Sequence, residues 1–201
     1  SLLPASLQPE IAQLCIKSGV HMINAGYVTQ NMKKVDEEAK SRGVLIFCEM
    51  GLDPGIDHMS AVKRIKEIHN EGGEVVAFRS LCGALPAPDS NTNPFGYKLS
   101  WSPSDLIGAC VRPARYLSSF LKVEIPGPEI LRDYRLKQIG TLGWFEEYPN
   151  MDSLPYRDLY GIPEARSVYR GTLRYIGWCD VMNRLIDLGI FDQEHIDVRG
   201  S

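Results

Sequence analysis

Val44-Leu45-Ile46-Phe47-Cys48-Glu49-Met50-Gly51-Leu52-Asp53-Pro54-Gly55-Ile56-Asp57-His58 passes from an unbroken apolar run, through a bend rich in Gly and Pro, into a helical pattern. An apolar run closed by turn residues reads as a strand buried on both faces, and such strands belong to parallel sheets covered by helices. The same alternation precedes it. His21-Met22-Ile23-Asn24-Ala25 reads as an earlier strand that ends at Gly26-Tyr27. Before that strand, Pro9 opens a helix carrying Ile11, Leu14, Cys15 and Ile16, and Gly19 stops it. Between the strands, Thr29 is placed to cap a helix whose solvent face carries Lys33, Lys34, Asp36, Glu37, Glu38 and Lys40, with Gly43 as terminator. After the bend, Asp57 is placed to cap a third helix with Met59, Val62, Ile65 and Ile68 on one face.

Beyond Gly72-Gly73 the texture changes, which sets an expected domain boundary between residues 1–72 and 73–201. Glu74 to Cys82 reads as a long strand, and Gly83 to Gly96 as a loop stiffened by Pro86, Pro88 and Pro94. A helix is expected after Ser102-Pro103, strands at Leu121 to Ile125, Leu142 to Glu147 and Ser167 to Tyr175, and a helix from Asp180 to Leu188. That part reads as α+β with a mixed sheet, so the chain as a whole is expected to be α/β. No Gly-x-Gly-x-x-Gly occurs, although a parallel sheet that binds a dinucleotide normally opens with a strand and such a turn. Residues 1–72 are therefore expected to be the second half of a nucleotide-binding fold, cut at its amino end.

Charge and composition narrow the function. With 22 Lys+Arg against 25 Asp+Glu, the formal net charge of −3 leaves no positive excess to neutralise a nucleic-acid backbone or an anionic bilayer. The longest apolar runs fall far short of the ~20 residues that cross a bilayer. Ser1-Leu2-Leu3-Pro4 lacks the basic start of a secretory signal. Neither nucleic acid nor membrane is an expected partner. Cys15, Cys48, Cys82, Cys110 and Cys179 are scattered without a Cys-x-x-Cys, and His21, His58, His69 and His195 form no His-x-x-x-His pair. The reading is a reduced, intracellular chain without a metal site.

Three stretches can carry chemistry. Gly51 to His58 joins a buried strand to a helix start, where open α/β sheets place ligands and free amides face anions; a plain Pro-Gly turn is the equal alternative. The loop Cys82 to Pro94 either lines a site or is a rigid surface connector, and Cys82 itself reads more readily as a small buried hydrophobe than as a nucleophile. Arg170, Thr172 and Arg174 are spaced two apart in a strand and share a face. Two guanidiniums flanking a hydroxyl make a receptor for carboxylates, against the alternative of a solvated face with ordinary surface pairs.

Gly51-Leu52-Asp53-Pro54-Gly55-Ile56-Asp57-His58, Cys82-Gly83-Ala84-Leu85-Pro86-Ala87-Pro88, Asn93-Pro94-Phe95-Gly96-Tyr97-Lys98-Leu99-Ser100-Trp101-Ser102 and Arg170-Gly171-Thr172-Leu173-Arg174-Tyr175 together resemble the saccharopine dehydrogenase family of the L-glutamate-forming type. That family also forms the carboxyl-terminal part of bifunctional aminoadipic semialdehyde synthase. The resemblance runs from Ser1 to about Leu188. It implies an NAD- or NADP-linked oxidoreductase of lysine metabolism that interconverts saccharopine with L-glutamate and 2-aminoadipate 6-semialdehyde. Hydride passes between a secondary amine carbon and the nicotinamide, and water hydrolyses the imine. The implied architecture is the carboxyl-terminal half of a Rossmann domain over 1–72, followed by an α+β saccharopine-binding and dimerisation domain over 73–201, in a homodimer. The implied location is the cytoplasm, or the mitochondrial matrix for the bifunctional form.

By position, the resemblance implies that Leu3, Ala25, Gly26, Tyr27, Asp53 and Pro54 meet the cofactor. Gly26, Tyr27, Thr172, Leu173 and Arg174 would meet the substrate, with Arg174 on a carboxylate. Asp53 and Cys82 are the candidates for acid/base chemistry, neither of them assigned, and a bound water can serve instead. Met151 stands where the family is expected to carry a substrate-binding Arg, Ala84 stands for Gly, and Gly26 for Ser. With the pyrophosphate turn expected upstream of Ser1, this chain alone is expected to bind cofactor poorly and to be inactive. The alternative function is a non-catalytic amino-acid-binding or dimerisation module of the same descent.

Overall fold

A computed structural model describes residues 1–191; residues 192–201, with His195 and the tail of the second expected domain, lie outside the described residues. The chain forms two compact units, Ser1–Gly73 and Glu74–Ser201.

In the first unit, helix α1 (Gln8–Ser18) carries Pro9 in its first turn and ends on Gly19, which takes the left-handed conformation at φ 67°. Strands β1 (Met22–Ile23) and β2 (Ile46–Phe47) pair in parallel, Met22 with Ile46 and Ile23 with Phe47. Both are much shorter than their apolar runs, since each has only the other to bond to among the described residues. Thr29 caps as expected, its hydroxyl accepting from Met32 N at 3.2 Å. The helix it opens is divided, however, into α2 (Gln30–Lys33) and α3 (Asp36–Ser41), where a tight bond from Val35 N to Met32 O intervenes. Ala12, Ile16, Met22, Met32, Val35, Ala39 and Val44 form the core of this unit.

Helix α4 (Ile56–Asn70) corrects the expected cap. Gly55 holds the capping position at φ 149°, and Asp57, already inside the helix, accepts from Gly55 N at 2.7 Å. A Cβ on residue 55 would meet Gly51 O at 2.2 Å, so only glycine lets the bend close this tightly onto the helix. Two expected core positions are exposed: Leu14 at 58% and Met59 at 54%. On α4 only Ile65 is buried, because a two-stranded sheet gives the helices little to cover.

The second unit is built on a six-stranded mixed sheet. Strand β3 (Ala77–Cys82) is shorter than expected, β4 (Ala114–Ser118) and β5 (Leu121–Ile125) form a hairpin, and β6 (Arg135–Gln138) pairs with β7 (Trp144–Pro149). Strand β8 (Ser167–Tyr175) spans the expected residues and is the hub. It runs parallel to β3 from Ala77 opposite Ser167 to Cys82 opposite Thr172, and antiparallel to β7 from Phe145 opposite Tyr175 to Pro149 opposite Gly171. Leu117 of β4 meets Val168. Helix α5 (Pro103–Cys110) starts where Ser102 accepts from Asp105 N at 3.3 Å; a short α6 (Tyr156–Leu159) and α7 (Trp178–Asp187) complete the unit. Tyr97, Leu106, Cys110, Ile130, Leu131, Tyr148, Trp178, Cys179 and Met182 form its core. Strands β4 and β6 have no counterpart in the sequence reading: β6 is an exposed, polar edge without alternation.

Candidate functional site

At the carboxyl ends of β1 and β2 the chain stays paired beyond the ladder. Asn24 N donates to Phe47 O at 2.8 Å, Met50 N to Asn24 O at 3.0 Å and Glu49 N to Gly26 O at 3.0 Å. Buried Asn24 organises this end: its Oδ1 accepts from Gly26 N at 2.8 Å and its Nδ2 donates to Cys48 Sγ at 3.3 Å. Tyr27 donates its hydroxyl to Asp53 Oδ1 at 2.9 Å, tying the β1 end to the bend. The bend closes through Gly51 N to Pro54 O at 3.0 Å and Ile56 N to Gly51 O at 2.9 Å. Gly51 lies so near Ala25 that a Cβ on it would stand 3.2 Å from the Ala25 Cβ. His58 is held 3.6 Å from both Glu49 and Asp57, inside the first turn of α4. Ala25, Gly26, Tyr27, Asp53 and Pro54 are thus gathered where parallel sheets receive a dinucleotide. Leu3 stands on the segment before α1, exposed, its carbonyl accepting from Gln8 Nε2 at 2.5 Å.

In the second unit Arg170, Thr172 and Arg174 share a face of β8, and burial removes one of the two readings of that face. Arg170 is 3% and Arg174 5% exposed, so this is no solvated surface row. Arg170 lies 4.6 Å over the Tyr156 ring and donates from Nη1 to Tyr156 Oη at 2.8 Å. Arg174 lies 4.9 Å from the Tyr97 ring and 5.3 Å from Trp178, and donates from Nη1 to Leu173 O at 2.9 Å. Half-buried Cys82 is the β3 register partner of Thr172, which places it beside that row. Leu173 points the other way, lining a shallow cavity of about 240 Å³ with Leu85, Pro86, Phe145 and Tyr175. The Tyr148–Ser153 segment runs past Arg170, with Asn150 N donating to Arg170 O at 2.9 Å, and Met151 adopts φ 55° there.

Among the described residues no carboxylate comes within ion-pair distance of Arg174, and its Nε has no hydrogen-bond partner. A buried guanidinium without a counter-ion is costly. The rings of Tyr97 and Trp178 offset part of that cost, about 0.5–2 kcal/mol each. The neighbouring thiols and the Tyr148 hydroxyl do not offset the rest. Burial pushes the Cys110 thiol up to about 11 against the pull of Arg174, and burial likewise holds the Tyr148 hydroxyl and the Cys179 thiol well above their ordinary ranges, Cys179 further raised by Glu146. All three stay neutral near pH 7, so none of them lends Arg174 a counter-charge.

Tyr97, Trp178 and Glu146 escape the sequence reading. Tyr97 lies in the Asn93–Ser102 stretch already singled out, but nothing local shows that its ring covers an arginine on a strand far along the chain. Glu146 accepts from Gly177 N and Cys179 N, each at 2.7 Å, a contact set only by the register of β7 on β8 and the start of α7.

Comparison with known proteins identifies the relatives of the chain. The family model described as the saccharopine dehydrogenase C-terminal domain matches residues 51–199. A saccharopine dehydrogenase [NADP(+), L-glutamate-forming] of Pyricularia oryzae is 39% identical over 194 residues, covering 96% of this chain and 43% of that protein. An alpha-aminoadipic semialdehyde synthase of Arabidopsis thaliana is 43% identical over 197 residues, covering 96% of this chain and 18% of that protein. The solved apo saccharopine dehydrogenase (L-Glu forming) of Saccharomyces cerevisiae superposes with a TM-score of 0.86 at 34% identity, over 100% of this chain and 45% of that one. The chain spans less than half the length of each of these relatives. From the buried arginine row, the strand-end bend and these matches, the chain belongs to the saccharopine dehydrogenase family and carries its C-terminal domain.

Proposed function

We propose that this chain is the substrate-gripping part, with the nicotinamide-side strand ends, of an enzyme that interconverts saccharopine with L-glutamate and 2-aminoadipate 6-semialdehyde. The observation that carries the reading is Arg174, a buried guanidinium clamped between two aromatic rings and lacking an ion-pair partner among the described residues. Saccharopine bears three carboxylates, and Arg binds such a group through two parallel donors. Thr172 offers a hydroxyl beside it on the same face.

The strand-end residues fit the ring end of NAD or NADP. Ala25 and Gly26 present little side chain, Gly51 leaves room against Ala25, and the Tyr27–Asp53 pair supplies polar groups at the rim. The names of fungal relatives specify NADP. A bound nicotinamide would supply the hydride acceptor for the secondary amine carbon of saccharopine. The contribution of this chain is to orient: in this reading Arg174 fixes a carboxylate, and Asp53, which accepts from Tyr27, and Cys82 are the candidates for proton handling, neither assigned. In this reading residues 1–72 are half of a Rossmann domain and residues 73–201 the saccharopine domain. The protein is a homodimer of the cytoplasm, or of the mitochondrial matrix in a bifunctional form.

The test is saccharopine-dependent reduction of NADP or NAD by the full-length protein that carries this chain, with Arg174→Ala beside it. Turnover is expected, and the variant should raise the KM for saccharopine at least about tenfold with the cofactor KM little changed. Turnover untouched by the change refutes the carboxylate contact. Saccharopine binding without turnover favours the non-catalytic amino-acid-binding module.

A further inference from the structure

The register of β7 on β8 sets Glu146 directly across from Arg174. Both are buried, Glu146 being 1% exposed. Opposite charges facing each other across a strand pair ordinarily close into a bidentate pair. Here they do not. Glu146 commits Oε1 to Gly177 N and Oε2 to Cys179 N, the amides at the positive end of α7. The residue between those two amides is Trp178. Anchored on both sides, its ring stays against the Arg174 guanidinium and 5.1 Å from the Tyr97 ring that flanks the same guanidinium.

We propose that Glu146 is a positioning residue for Arg174: by binding the start of α7 it withholds its own charge from the guanidinium and fixes the aromatic clamp that keeps Arg174 available to a ligand carboxylate. This rests on the reading of Arg174 as the carboxylate receptor. Two effects of Glu146 oppose each other, which makes the role measurable. Its negative charge alone weakens anion binding, so its removal would tighten binding. Its hold on Trp178 strengthens binding, so its removal would loosen it. The geometry makes the second effect dominant, because the carboxylate is already compensated by two amides and its field at Arg174 is reduced accordingly.

The experiment uses the same saccharopine assay on the full-length protein with Glu146→Gln, Arg174→Ala and the double variant. Glutamine keeps the shape but offers one acceptor where two are needed. Its expected effect is a rise of about fivefold in the KM for saccharopine, with kcat within about twofold. In the Arg174→Ala background the same substitution should add nothing, since it acts through the missing guanidinium. A KM that stays level or falls, or effects that multiply in the double variant, overturns the proposal. Should Glu146→Gln fail to fold, Trp178→Phe leaves Glu146 and its amides in place while covering less of the guanidinium. A KM raised about threefold, and only when Arg174 is present, supports the clamp; an unchanged KM overturns it. Arg174→Ala with a normal KM removes the underlying reading itself, whereas a normal Glu146→Gln beside a damaged Arg174→Ala removes only the positioning role.

Discussion

In the first unit the residues proposed to meet a cofactor are held mainly by main-chain bonds around Gly51 and Gly55, whereas in the second the proposed ligand contacts are buried side-chain charges on a long central strand. The bend at Gly51–Gly55 works by shape. Two glycines let backbone approach backbone at the ends of β1 and β2, and Tyr27 ties the β1 end to the bend through Asp53. The β8 row works by electrostatics in a dry interior, where aromatic rings and helix amides take the place of water. The lesson is that the two regions are held together by different materials, so they should fail in different ways.

The sharpest break is expected from Gly55→Ala. The added methyl meets Gly51 O and Glu49 O at 2.2 and 2.6 Å on a backbone with φ 149°. No flexible side chain is there to yield, so the cost should be about 4 kcal/mol or more. Calorimetry should show the transition of the first unit lost or shifted far down while that of the second persists. A single unshifted transition would mean that the bend relaxes freely and does not work by shape.

An intermediate effect belongs to the second unit and appears only in alkali. The folded Cys110 thiol titrates at about 11 against 9.0 when unperturbed. Below the lower value both states hold the proton and stability is complete. Between the two values the unfolded chain releases it while the folded chain keeps it, so stability falls as pH rises, by roughly 2–3 kcal/mol by the upper value. Tyr148 and Cys179 are raised as well and steepen the same decline. Urea midpoints measured across this range should drop for the wild type and less steeply for Cys110→Ala. Equal slopes would show that the thiol is not in a dry environment.

The smallest effects should be alike in both regions. Thr29 caps α2 and Ser102 caps α5, each accepting one main-chain N–H three residues on. Replacing either by Ala should cost about 1 kcal/mol by urea denaturation. A clearly larger loss at Ser102 would indicate that α5, which carries buried Leu106 and Cys110, depends on its start more than the helices of the first unit do.

Local chemistry made parts of this legible in the chain. Pro9, Thr29, Ser102 and Gly19 mark helix ends because caps and stops act within one turn, and the alternation from Ser167 to Tyr175 delimits β8 to the residue because that strand is buried along both edges. Asp57 misleads for an equally local reason: it is a good capping residue, but the bend places Gly55 at the cap and draws the Asp57 carboxylate back onto it. The exposed edge strand β6 gives no period to detect, since neither of its faces is buried.

What residue types and spacing could establish was a two-part α/β chain, a glycine–proline bend after a buried strand and two arginines on one strand face, because each depends on neighbours a few residues apart. Whether that face was wet or dry, which ring would cover which guanidinium and where Glu146 would spend its charge depended on strand register and on a helix arriving from the far side of the sequence. Those are properties of long-range packing, and burial takes the same arginine out of a solvated surface row and sets it among aromatic rings.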